Sequence, residues 1–277
     1  MTMLSNVFPP KPFLRWAGGK TWLVKHLNEI LGDIVFTNYH EPFLGGGAIF
    51  FTMSPEQVSY LSDLNCELID TYQAIKEDPF AVINTLQTYE NTEEFYYEIR
   101  SQVPVDRFEQ AARFIFLNQT SFNGIYRVNQ RGEYNVPFGY RDKNFLEEDK
   151  LIAASESLQN TVLSSGDFAH NKNNIKEGDL VFLDPPYTVS HNNNGFIKYN
   201  QRLFSLDDQK RLSGFIDYIK DQGAYYILTN AAHQTILELF DKGDRLIELS
   251  RASLIGGDNA KRGKISEFIF TNIVRGV

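Results

Sequence analysis

Residues 179–187 read Asp-Leu-Val-Phe-Leu-Asp-Pro-Pro-Tyr. The apolar run predicts a buried strand, and it stops at a carboxylate, two prolines and an aromatic ring. The carboxyl end of a parallel strand is the edge at which α/β sheets bind ligands. Pro185 and Pro186 fix φ and carry no N–H, so the backbone there presents carbonyl oxygens without competing donors. Asp184 adds a carboxylate and Tyr187 a flat face. Two acceptors beside a stacking platform suit an amino group on a planar ring, such as the exocyclic amine of adenine. That amine is a poor nucleophile because its lone pair is delocalised into the ring. Acceptors on both N–H bonds localise the pair and aim it at an electrophile. Taken alone, the same residues also describe a plain strand-ending turn with a solvated acid.

A second segment, Glu-Pro-Phe-Leu-Gly-Gly-Gly-Ala at 41–48, follows a short apolar stretch and opens a predicted helix. Gly45, Gly46 and Gly47 permit a sharp turn and let a ligand approach the main chain. Asp63 ends the next predicted strand, where an acid accepts hydrogen bonds from ribose hydroxyls. The third glycine of a dinucleotide fingerprint falls on Phe50, which is too bulky for helix–strand packing. A nucleoside without phosphates is therefore favoured over a pyrophosphate, with an ordinary glycine turn as the bland alternative. Arg-Trp-Ala-Gly-Gly-Lys-Thr at 15–21 lacks the first glycine of a P-loop, which removes the support for an NTPase. Trp16 and Lys20 instead offer a ring and a charge to a nucleoside site.

The elements that must position these residues follow from periodicity. Apolar runs at 58–63, 161–167, 179–184, 224–230 and 267–272 predict buried parallel strands. Helical spacing covers 18–31, 207–223 and much of 67–118. Ser205 or Asp207 can cap the helix after 206, and Gly223 follows its end. Strand and helix alternate toward both ends of the chain while the middle is helical, so an α/β sheet interrupted by a helical insertion at about 67–159 is expected. One cysteine, Cys66, among 277 residues excludes an intrachain disulfide and fits a cytoplasmic setting. No apolar run approaches the length of a membrane span, and the amino terminus has no signal-peptide pattern. The net charge of −8 argues against a nonspecific nucleic-acid coat. Three basic stretches nevertheless carry no acid: 1–28, 113–131 and 259–266. No His/Cys spacing suggests a metal, and none is predicted.

Together, Phe-Leu-Arg-Trp-Ala-Gly-Gly-Lys, Glu-Pro-Phe-Leu-Gly-Gly-Gly-Ala, Leu-Ser-Asp-Leu-Asn, the segment 123–139 and Leu-Asp-Pro-Pro-Tyr resemble the α-group, Dam-like adenine-N6 DNA methyltransferases. The segments keep the order of that family over nearly the whole chain. The resemblance implies a Rossmann-like methyltransferase sheet, formed by 1–66 and 160–277, with a target-recognition domain at 67–159. It implies S-adenosylmethionine as methyl donor and adenine in double-stranded DNA as acceptor. Carried over position by position, it places Trp16, Lys20, Phe43, Gly45, Gly46, Gly47, Asp63, Asp167, Phe168 and Asp184 at the cofactor. It places Asp184, Pro185, Pro186 and Tyr187 in the catalytic motif. The target-reading segment matches 122–137, with Phe122, Asn123, Arg127, Asn135 and Pro137 at the DNA. Arg127 falls where family members that act on GATC read a guanine. Phe122 stands where some relatives have tyrosine, and Tyr140 and Arg141 exchange ring and charge relative to the family pattern.

The expected mechanism flips the adenine out of the duplex, stacks it on Tyr187 and lets its amino N–H groups donate hydrogen bonds to Asp184 and the Pro185 carbonyl. The amine then attacks the sulfonium methyl in one step, with no covalent enzyme intermediate. Lys261 and Arg262 are expected to contact phosphates. A monomer and a cognate restriction endonuclease acting on the same site are further expectations. Two other readings stay open here: a methyltransferase of RNA or of a protein amide, and a DNA-binding relative without activity. The intact Asp184, Asp63 and Gly45–Gly47 set speaks against the last.

Overall fold

The structure, a computed structural model, describes residues 10–129, 131–142, 144–187, 204–252 and 264–274. In chain order the regular elements are α1 (Val24–Leu31), β1 (Tyr39–Glu41), α2 (Ala48–Met53), β2 (Ser59–Asp63), α3 (Cys66–Glu77), α4 (Pro79–Leu86), α5 (Glu93–Ser101), α6 (Arg107–Thr120), α7 (Glu148–Leu158), β3 (Thr161–Ser165), β4 (Leu180–Leu183), α8 (Leu206–Asp221), β5 (Tyr225–Ala231), α9 (Gln234–Phe240), β6 (Arg245–Ala252) and β7 (Lys264–Thr271). Two compact units divide the chain. One holds 1–21 and 44–167, the other 22–43 and 168–277. β2, β3 and the glycine turn fall with the helices of the first unit.

In the first unit β2 and β3 pair in parallel from Ser59–Thr161 to Asp63–Ser165. The helices are punctuated by side chains that accept from the first free N–H groups. Asn65 accepts from Leu68 N at 3.1 Å, and Asp78 from Phe80 N and Ala81 N at 3.0 and 3.1 Å. Pro79 follows Asp78 at the first helical position, where its missing N–H costs nothing. The break between α3 and α4 is thus written in two adjacent residues. Asp78→Ala is expected to lower stability by about 1 kcal/mol, read as a fall in the midpoint of thermal unfolding. Aromatic side chains fill the core between the helices: Phe116 makes edge contacts with Tyr89, Phe95 and Phe145.

In the second unit the strand order is β1-β4-β5-β7-β6. β4 runs parallel to β1 and β5. β7 is antiparallel to both β5 and β6, which corrects the expectation of a parallel strand at 267–272. Two strands were not expected at all. β1 reads Tyr-His-Glu, yet all three residues are buried. Polar partners make that possible: Tyr39 donates to Glu41 Oε2 at 2.7 Å, and His40 Nε2 lies 2.9 Å from Asp179 Oδ2. Burial holds the His40 imidazole below its usual pKa, opposed by Asp179. β6 alternates half-buried and exposed positions from Arg245 to Ser250, so it offers no continuous apolar run. Ser205 caps α8 in a box with Asp208, and Gly223 lies past its end at φ 74°, as its sequence punctuation predicts. Val181, Leu183, Leu212, Phe215, Ile216, Tyr226, Leu228 and Phe270 belong to one core cluster behind β4 and β5. Among the described residues no helix is long and apolar enough to cross a membrane.

Candidate active site

In the first unit, the glycine turn is built around left-handed backbone. Gly45 and Gly47 have φ of +48° and +66°, a region costly for any residue with a Cβ. A Cβ on Gly45 would lie 2.7 Å from Trp16 Cδ1, and one on Gly47 2.9 Å from Phe51 Cε2. The Trp16 ring therefore lies directly on the turn. Its other contacts are stacked ones, with Tyr126 at 5.7 Å and Phe114 at 6.5 Å between centroids. The Asp63 carboxylate closes the same turn: Oδ2 accepts from Gly45 N at 2.9 Å and Oδ1 from Asn65 N at 3.0 Å. Tyr72 donates to the Gly45 carbonyl at 3.0 Å. Burial pushes the Asp63 carboxyl above its ordinary pKa, while the backbone N–H groups of Asn65, Gly45 and Leu64 pull it down. Lys20 is 3% exposed and donates to the Gly18 carbonyl at 2.9 Å. Asp167 is half-buried just past β3.

In the second unit, β4 delivers the proline turn. Leu180 to Leu183 are fully or almost fully buried, and the strand lies between two parallel neighbours, so its end is rigidly placed. Asp184 follows, half-buried, with Pro185 buried and Pro186 and Tyr187 half-buried. Thr229 on β5 donates to Asp184 Oδ1 at 2.7 Å. Tyr187 donates its phenolic proton to Glu267 Oε2 at 2.5 Å. Burial raises the Tyr187 phenol well above its usual pKa, and the nearby Asp184 and Glu267 carboxylates raise it further. The ring therefore stays neutral. Phe43 and Phe168 stack at 5.5 Å and 26°, with Phe204 edge-on to Phe43 at 5.7 Å and the Arg211 guanidinium 5.0 Å from the Phe168 ring centre.

The segment matched to target reading lies in the first unit. Phe122, 54% exposed, opens a single 3₁₀ turn that follows α6 directly. Asn123 sits at φ 58°, strained for a residue with a side chain. Residues 127–129 and 131–135 form the arms of a hairpin in which Val128 pairs with Tyr134. Across it, Arg127 donates from Nε to Asn135 Oδ1 at 2.8 Å and from Nη2 to the Asn135 carbonyl at 3.2 Å. Pro137 is exposed, and its carbonyl accepts from Phe122 N at 2.9 Å. The basic stretch 113–131 is not one surface: Arg113 donates to the Ile99 and Arg100 carbonyls at the end of α5. Lys261 and Arg262 lie outside the described residues.

Residues 16–253 match the family described as D12 class N6 adenine-specific DNA methyltransferase. The chain belongs to that family. Its α/β sheet is a Rossmann-like methyltransferase fold, and its methyl donor is S-adenosylmethionine. This adenine methyltransferase is 34% identical over 274 residues to the type II methyltransferase M1.LlaDCHI of Lactococcus lactis subsp. cremoris, covering 95% of each chain. It is 33% identical over 288 residues to the type II methyltransferase M.MjaIII of Methanocaldococcus jannaschii, covering 95% of this chain and 99% of that one. It is 29% identical over 269 residues to the DNA adenine methylase of Escherichia coli (strain K12), covering 94% of each.

The side chains of this adenine methyltransferase suit that donor. The 45–47 turn bares its main chain because no Cβ fits at Gly45 or Gly47. A carboxylate offers about four lone-pair sites, more than the Gly45, Asn65 and Leu64 N–H groups occupy on Asp63, which leaves acceptor capacity for a hydroxyl. The stacked Phe43 and Phe168 rings suit a planar base. The structure also brings forward residues the sequence did not single out. Thr229 and Glu267 sit in β5 and β7 with no local signature. In the sequence Arg15 stands only within the P-loop-like segment 15–21 and the basic stretch 1–28. Its backbone is clamped by Asn118, which accepts from Arg15 N at 2.8 Å and donates to Arg15 O at 2.7 Å. Its guanidinium lies under Gly124, where a Cβ would come within 2.5 Å of Cζ. Burial and the neighbouring Arg141 lower its pKa.

Proposed function

We propose that this methyltransferase flips its target adenine out of duplex DNA and holds the base on the proline turn at the end of β4. Asp184 and the Pro185 carbonyl accept hydrogen bonds from the two amino N–H groups, and Tyr187 stacks on the ring. The observation that carries the reading is the pair of fixed groups there, a carboxylate held at 2.7 Å by Thr229 and a ring held at 2.5 Å by Glu267. Such preorganisation lets positioning and electrostatics do most of the catalysis. Bound S-adenosylmethionine supplies an electrophilic methyl group. Trp16, Lys20, Phe43, Gly45, Gly46, Gly47, Asp63, Asp167 and Phe168 are assigned to holding it. Asp63 has a double task in this scheme, closing the glycine turn and accepting from ribose. Flipping costs a few kcal/mol of unstacking, which the exposed Phe122 offsets by filling or wedging the vacated stack.

Residues 67–159 are assigned to target recognition. Of the five N–H donors on Arg127, Asn135 occupies Nε and one on Nη2. The terminal edge of the fork keeps the geometry for bidentate contact with guanine O6 and N7. Arg127→Ala is expected to relax discrimination at one guanine by about 1–3 kcal/mol, measured as relative methylation rates on duplexes changed at single positions. Unchanged preference at every position would remove Arg127 from the reading. GATC is the proposed site, because Arg127 falls where the family resemblance places a guanine reader of that sequence. Lys261 and Arg262 are assigned to phosphates. A monomer in the cytoplasm, paired with an endonuclease of the same specificity, completes the proposal; the type II names of two relatives support the pairing. The test is to map methylated bases in DNA from cells expressing the chain. N6-methyladenine within one short motif is expected, and label confined to RNA or protein would overturn the reading.

A further inference from the structure

Thr229 and Glu267 are each 0% exposed. Valine fills the same volume as threonine, and a carboxylate is costly to bury unless it is hydrogen-bonded, so packing alone explains neither choice. Their register places them together. Thr229 pairs with Ile269 and Ala231 with Glu267 across the antiparallel β5–β7 ladder, and residues two apart share a face. From that face Thr229 reaches Asp184 Oδ1 at 2.7 Å, while its distance to the Leu183 carbonyl is 3.5 Å. The hydroxyl has one proton, so the carboxylate takes it. Glu267 accepts from Tyr187 at 2.5 Å, and the phenol, held protonated by its surroundings, is always a donor.

We propose that Thr229 and Glu267 are positioning residues for methyl transfer: Thr229 fixes the plane of the Asp184 carboxylate, and Glu267 fixes the ring of Tyr187. The proposal rests on the roles given above to Asp184 and Tyr187. Bonds of this kind, with one charged partner, are short and directional. They remove the rotations that would otherwise let the acceptor and the stacking face drift from the amine, and small misplacements cost much rate.

Thr229→Val keeps the shape and loses the hydroxyl, whereas Thr229→Ser keeps the hydroxyl. In single-turnover methylation of unmethylated genomic DNA with enzyme in excess, Thr229→Val is expected to slow transfer about 10- to 100-fold. Affinities for S-adenosylmethionine and DNA should stay within about twofold, and Thr229→Ser should recover most of the rate. A valine variant as fast as wild type, or a serine variant as slow as the valine one, overturns the role of Thr229. For Glu267, the double variant Glu267→Gln with Tyr187→Phe should be no slower than Tyr187→Phe alone, because the glutamate acts through the hydroxyl. Independent, multiplying losses overturn that part. Asp184→Asn is measured alongside. If it turns over normally, the assignment of the proline turn itself fails, whatever Thr229 does.

Discussion

Asp184→Ala is expected to reduce methyl transfer by about a thousandfold or more, since removal of one preorganised electrostatic partner alone costs about 10²–10³ and here an amine acceptor and its orientation go together. The cofactor and DNA should still bind, because the glycine turn and the hairpin at 127–135 keep their own hydrogen bonds. Alanine also leaves the buried Thr229 hydroxyl without its acceptor at 2.7 Å, a penalty of about 1–3 kcal/mol in stability. Asp184→Asn separates the two effects. Its amide oxygen can still accept from Thr229, but its NH₂ opposes an incoming amine. Single-turnover rates, with melting temperatures and equilibrium binding for both variants, decide the matter. Near wild-type transfer in either variant refutes the role.

Gly45→Ala is the second large effect. Alanine at φ +48° pays for a left-handed backbone, and its Cβ meets Trp16 Cδ1 at 2.7 Å. The indole cannot simply swing aside, because it is stacked against Tyr126 and Phe114. Backbone strain and overpacking together should cost ~2–5 kcal/mol. S-Adenosylmethionine affinity should fall at least about tenfold, since a 1.4 kcal/mol distortion of the turn already does so. Gly46→Ala is the control. Gly46 has no positive φ, and its Cβ would meet Trp16 Cβ at 3.0 Å rather than the ring edge at 2.7 Å. Calorimetric titration and thermal melts of the two variants should rank them clearly; equal affinities would deny the turn its cofactor role.

The proline turn and the glycine turn were legible because their signals are local. Proline fixes φ, glycine permits positive φ, and an apolar run that stops at either marks a strand end or a turn. The α8 boundaries were legible for the same reason, since Ser205 and Gly223 each act within one turn of a helix end. β1 was hidden because its burial depends on Asp179, which follows it by more than a hundred residues. β6 was hidden because its alternating burial gives no apolar run. The antiparallel direction of β7 was hidden because a buried strand needs the same side chains whichever way its neighbours run.

By itself, the sequence determined the alternation of strands and helices, the proline turn that ends β4 and the glycine turn at Gly45–Gly47. Backbone stereochemistry and hydrophobic period set these within a few residues. Only the tertiary structure decided what holds them. Thr229 lies 45 residues from Asp184, and Glu267 lies 80 from Tyr187. Asp63 reaches back 18 residues to lock Gly45, and Asn135 turns Arg127 across a hairpin. Such partners are chosen by strand register and loop closure. Those are properties of the packed chain, and no short window of residues contains them.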